Sequence, residues 1–119
     1  MRIGELARRS GLSVHTIRYY EAIGLLPCPS RDQSGKRSYD VSILAWIDFI
    51  TRLKAAEMPI KEMICYADLW QRGPATTARR RNLLEELRER VRDRITELKS
   101  CLGVIDAKIL KLIKLEKNK

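Results

Sequence analysis

Apolar positions recur along this chain in short periodic groups separated by glycine and proline, and then in one long group without a break. Ile3, Leu6 and Ala7 have the three-to-four spacing of a short helix, which Ser10-Gly11 stops. Ser13 is a good N-cap, and Val14, Ile17 and Tyr20 repeat every third residue on one face of a second helix. Two short helices around the turn SGLS predict a helix-turn-helix. The second helix directs His15, Thr16, Arg18 and Tyr19 away from its core stripe. A core has no use for an arginine and two tyrosines in a row followed by IGLL, so RYY asks for another explanation.

Pro27-Cys28-Pro29 ends helical structure. Next, SRDQSGKRSY, with Gly35 among polar residues, predicts a tight hairpin with strands of two or three residues. Asp40 is the expected cap of a third helix, in which Leu44, Trp46, Ile47, Phe49, Ile50 and Leu53 supply much of the bulky core. A fourth helix is expected to open at Pro59, bury Ile60, Met63, Ile64 and Ala67, and end at Gly73-Pro74.

From Thr76, the expected N-cap, no proline follows, and only Gly103 interrupts good helix formers. One helix of about 40 residues is predicted, roughly 60 Å long at 1.5 Å per residue. Its apolar residues are Leu84, Leu87, Val91, Ile95, Leu98, Leu102, Ile105, Ile109 and Leu112, in steps of 3, 4, 4, 3, 4, 3, 4 and 3. These are heptads with one four-residue stutter near Val91–Ile95. Such a stripe has nothing to pack on within its own helix, so a second copy is the economical partner. The pattern divides the chain into a head, residues 1–73, and a dimerisation helix, residues 74–119, in an all-α fold with a minimal β-hairpin.

Charge adds less than it promises. The 119 residues carry 24 Lys+Arg against 15 Asp+Glu, a net +9, which suits an acidic partner such as nucleic acid. Residues 1–58 contribute only +3 of this and residues 59–119 the other +6, so the excess does not mark out RYY. Lys108, Lys111, Lys114, Lys117 and Lys119 read as a solvated helix end complementing the helix dipole. Cys28, Cys65 and Cys101 are too few and too widely spaced for a disulfide framework or a zinc finger. No apolar run is long enough for a bilayer, MRIGEL lacks the features of a signal peptide, and a reducing cytoplasm is expected.

An enzyme finds little support. The single histidine, His15, has no neighbouring nucleophile, and there is no Gly-rich phosphate loop and no HExxH. Neither a cofactor nor a metal is expected. DNA fits better: Ser13, His15 and Thr16 lie in the N-terminal half of a helix able to enter the major groove. Arg18 and Tyr19 suit phosphate, and Lys36 and Arg37 sit at a hairpin tip placed like a wing. The rival of a different class is a coiled-coil adaptor whose winged head binds protein.

The ordered string IGELA, SGLS, TIRYYE, GLL, then R, G, R and Y through Tyr39 resembles the N-terminal winged-helix domain of the MerR family of bacterial transcription regulators. The resemblance continues through AWIDFITRLKAAEMPIKEM into the long helix. It implies a homodimer whose long helices pair antiparallel as a coiled coil. It also implies a palindromic operator in a promoter spacer that is bent and untwisted for RNA polymerase, which the protein affects indirectly. By position, Arg18, Tyr19 and Tyr20 match the family's DNA-contacting RYY, His15 and Thr16 its recognition helix, Arg37 and Tyr39 its wing, and Lys54 a backbone contact ending the third helix. RYY then becomes a backbone clamp that IGLL packs down.

The chain also departs from the family pattern. Glu57 stands where most members have glycine, and Ser38 where many have an aromatic residue. The short branch that senses thiol-reactive or aldehyde stress uses a cysteine in the third helix, where this chain has Thr51-Arg52. Cys28, Cys65 and Cys101 are the possible sensors, with Cys28 expected to be exposed and the other two to act as small helix-packing hydrophobes. Trp70 is placed to line an apolar effector pocket or to pack on a partner's helix.

Overall fold

The computed structural model describes residues 1–118, so Lys119 of the expected basic end lies outside the described residues. Five α-helices and one hairpin follow in order: α1 (Ile3–Ser10), α2 (Val14–Ile23), β1 (Ser30–Arg31), β2 (Arg37–Ser38), α3 (Ile43–Ala55), α4 (Ile60–Gln71) and α5 (Thr77–Lys117). A short 3-10 turn, Pro74–Thr76, precedes α5. The chain divides into two compact units, Met1–Leu83 and one beginning at Leu84.

Local chemistry accounts for the boundaries in the first unit. Ser13 caps α2, its hydroxyl oxygen accepting the Thr16 N–H at 3.0 Å. Gly24 ends α2 at φ 88°, a left-handed conformation that a side chain would strain. That turn lets the Leu25 and Leu26 N–H groups return to the Tyr20 carbonyl at 2.8 and 3.2 Å. Leu25 and Leu26 are thereby buried, and the Trp46 indole N–H donates to the Leu25 carbonyl at 2.8 Å. IGLL thus fastens the exit of α2 to α3, as its expected packing role requires.

Leu6, Ile17, Leu25, Ile47 and Ile50 form the most deeply buried centre. Trp46 extends it as an aromatic stack, parallel to Trp70 with ring centroids 4.0 Å apart and to Tyr66 at 6.0 Å. In the hairpin, Arg31 pairs with Arg37 and Ser30 with Ser38 in antiparallel register. Met1 lengthens this edge: its ammonium donates to the Tyr39 carbonyl and the Tyr39 N–H to the Met1 carbonyl, both at 2.7 Å.

Several sequence expectations move by part of a turn. Asp40 does not cap α3 directly; its carboxylate accepts the Ser42 N–H at 2.9 Å and holds a preceding turn, and the helix starts at Ile43. Ile60, expected inside, is exposed, because the buried face of α4 runs through Met63, Tyr66, Ala67 and Leu69, leaving Ile64 half-buried. Thr76, the residue directly before α5, is buried, and its hydroxyl faces the Leu69 carbonyl at 2.6 Å and the Gly73 carbonyl at 2.9 Å, pinning the turn to the end of α4. Glu57, in the glycine position, has φ 65°.

In the second unit, α5 continues without interruption through Gly103, and the complete helix is 41 residues long. Leu84 and Val91 are half-buried and Leu87 is buried, whereas Ile95, Leu98, Leu102, Ile105, Ile109 and Leu112 are all exposed in the single chain. Among the described residues, no helix is long and apolar enough to cross a membrane.

Candidate nucleic-acid interface

The capped start of α2 presents His15, Arg18 and Tyr19 to solvent, with Tyr19 53% exposed. Ser13 is exposed, but its hydroxyl is engaged twice, accepting the Thr16 N–H and donating to the Thr16 hydroxyl at 2.9 Å. The half-buried Thr16 keeps its own O–H as a donor. Tyr20 faces the opposite way, into the core, with its ring tilted against Tyr19 at 6.2 Å. RYY is therefore a split element: two exposed side chains and one anchor.

The hairpin adds the cations. Arg18 joins Arg2, Arg31, Lys36 and Arg37 around one open notch of about 390 Å³, with Ile3 and the Gly35 backbone completing its wall. An adjoining hollow of about 380 Å³ shares Arg18, Arg31 and Arg37. Arg31 and Arg37 lie directly opposite each other, an arrangement that costs energy unless a counter-charge is near. Arg31 also donates to the Gly35 carbonyl at 3.0 Å, and Arg2 pairs with Asp32 at 3.0 Å. Both set their heads at the notch.

Glu21, on α2, is the carboxylate that organises the wing. Its side chain is only 8% exposed; it accepts a short hydrogen bond from the Tyr39 hydroxyl and lies 3.8 Å from Arg37. Burial first, then the hydrogen bond and charge of Glu21, raise the Tyr39 pKa, so the phenol stays a donor. The Tyr39 ring is buried and its hydroxyl is committed to this contact. Lys54 is exposed near the end of α3.

Arg2, Arg31 and Glu21 escape a reading of the sequence confined to the recognition helix and hairpin tip. The register of a two-residue-strand hairpin closed at Gly35 carries the signal for Arg31, since it sets Arg31 opposite Arg37. Arg2 becomes legible only through the Met1–Tyr39 pairing. The three cysteines are free and all exposed in the single chain; Cys65 thus differs from the packed residue expected, because it falls on the outer side of α4, while Cys101 shares the exposure of Leu98 and Leu102 beside it. Among the described residues, no group of three or more His, Cys, Asp or Glu side chains is placed to hold a metal.

Residues 2–39 match the family described as MerR family regulatory protein, and residues 44–108 the one described as MerR, DNA binding. A relative, the HTH-type transcriptional regulator AdhR of Bacillus subtilis (strain 168), is 38% identical over 91 residues; the match spans 76% of this chain and 65% of AdhR, just under two thirds. Among solved structures, a MerR family regulator from Listeria monocytogenes superposes with TM-score 0.85 at 37% identity, covering 92% of this chain and 83% of that one. HiNmlR, a MerR family regulator lacking the sensor domain and solved bound to promoter DNA, gives TM-score 0.81 at 30% identity, covering 91% and 86%.

Proposed function

Because this chain belongs to the MerR family of regulatory proteins, we propose that it is a homodimeric transcription regulator that binds duplex DNA through its winged head. The observation that carries this reading is the five-cation notch between α2 and the wing. Such a notch suits backbone phosphates, and it lies beside a capped helix whose exposed N-terminal half can read bases. Ser13, His15 and Thr16 face the major groove in this reading. Arg18, Tyr19, Arg31, Lys36 and Arg37 hold the flanking backbone, and Lys54 adds a contact from α3. Tyr20 and Tyr39 act from behind, fixing the angles of the helix and the wing.

Two heads joined by paired α5 helices need a palindromic operator. HiNmlR was solved on promoter DNA, which supports a promoter element as the target here. Antiparallel pairing of α5 holds the heads at a fixed separation. A spacer whose half-sites do not match that separation must bend or untwist to engage both, so its deformability enters specificity and polymerase is affected indirectly. The protein acts where promoter DNA is, in the cytoplasm.

Selection of bound duplexes from a random library tests the proposal. Enrichment of a palindrome, with affinity falling steeply as salt rises, is the expected result. Weak binding with no enriched sequence would overturn it in favour of a protein-binding adaptor.

A further inference from the structure

A separate cavity of about 170 Å³ lies where the loop before β1, the end of β2 and the start of α3 meet the last turn of α4. Pro27, Pro29, Ile43 and Trp70 give it an apolar wall, and Ser38 and Asp40 a polar edge. Its size sets the class of occupant. A cavity of about 150 Å³ takes a benzene ring, while drug-sized ligands need about 300 Å³ or more. One ring fits.

The walls narrow the chemistry further. Trp70 is half-buried and lies flat on Trp46, 4.0 Å between centroids and 7° from parallel. A ring already held by a second indole is a preformed platform, so little side-chain freedom is lost when a ligand stacks on it. Asp40, exposed at the edge of the cavity, brings a negative charge that favours a cation, and an indole face such as that of Trp70 attracts one too. Hydrogen bonds from the Ser42 N–H and hydroxyl hold the Asp40 carboxyl below the usual carboxylate range, so it is ionised at neutral pH.

We infer that this cavity is an effector site for a single-ring arylalkylamine, bound as its ammonium cation. Its occupant touches the root of the wing, since Ser38 and Tyr39 also line the cavity. Tyr39 donates to Glu21 and Glu21 pairs with Arg37, so a shift of β2 on binding reaches a cation of the notch through two contacts. Only this consequence rests on the DNA-binding reading; the site itself does not.

Nitrogen-15 spectra of the full chain provide the test, because two tryptophans give two indole signals, assigned with Trp70→Phe. Benzylamine should move the Trp70 signal saturably in the millimolar range. Asp40→Asn, which keeps an acceptor for the Ser42 N–H, should weaken benzylamine about threefold, the scale of a solvent-exposed ion pair, and leave benzyl alcohol unaffected. Saturating benzylamine should change affinity for the selected duplex at least threefold. No saturable shift, or one that Asp40→Asn leaves unaltered, overturns the site, and binding without a change in duplex affinity overturns its effector role. A chain that binds no duplex defeats the proposed function, while the indole titration still decides the cavity.

Discussion

Arg18 and Tyr20 are two residues apart in sequence and do opposite work. Arg18 is exposed at the notch, while Tyr20 is buried and lends its carbonyl to the turn that seats Leu25 and Leu26. Arg18→Ala should therefore leave the fold intact, weaken binding to every duplex by a similar factor, and lower the slope of log affinity against log salt by about two, one for each head of the proposed dimer. Titrations at several salt concentrations check this, and an undiminished slope counts against a phosphate role. Glu57 is a residue-scale strain. Its φ of 65° lies in the left-handed region, at a turn where the Met58 N–H closes onto the Leu53 carbonyl at 3.0 Å. Relief of about 1 kcal/mol of strain, partly offset by the greater freedom of glycine in the unfolded chain, gives Glu57→Gly a net gain of about 0.5 kcal/mol, a rise of a few degrees in melting temperature. A lower melting temperature would mean that contacts of the Glu57 side chain outweigh the strain.

At the scale of elements, one carboxylate closes the hairpin turn. Asp32 accepts the Ser34 hydroxyl at 2.7 Å, the Ser34 N–H at 2.9 Å and the Lys36 N–H at 3.0 Å, and pairs with Arg2. The Ser34 hydroxyl first, then the Lys36 N–H, with the Arg2 charge a smaller contribution, lower its pKa from the usual carboxylate value. A lowered folded pKa means this support is complete above the unfolded value, about 3.9, and is lost as pH falls through the lower folded one. Amide signals of Ser34 and Lys36 should titrate with a midpoint below about 3.9, and Asp32→Asn should abolish the transition; a midpoint at or above that value would refute the hairpin role. The hairpin was legible because a glycine between short polar runs has few other uses, and the helices because their stripes are periodic. What escaped were contacts between elements. Spacing alone cannot tell that Thr76 turns back to the Leu69 carbonyl, that the inner face of α4 passes Tyr66 and leaves Ile60 outside, or that Arg2 reaches the wing.

For the whole molecule, the decisive feature is the apolar stripe of α5. Leu98 and Leu102 are each 56% exposed in the single chain, on the same helix face as the exposed Ile95, Ile105 and Ile109. Leaving such a row in water forfeits about 25 cal/mol for each Å² that a partner could cover, and charged residues fill much of the remainder of the helix. A second α5 is the surface with matching spacing. Leu98→Asp with Leu102→Asp would place four carboxylates in the seam of a dimer, where each desolvated charge costs several kcal/mol, so the variant should sediment as a monomer. The head should be undisturbed, because the Trp46–Trp70 stack and the Trp46–Leu25 hydrogen bond involve neither residue; near-ultraviolet circular dichroism verifies this. Operator affinity should then fall by a factor of 100 or more, on the order expected when one head no longer holds the other near its half-site. A variant that still sediments as a dimer places the interface elsewhere on the chain. A monomer that binds the operator undiminished shows that one head suffices.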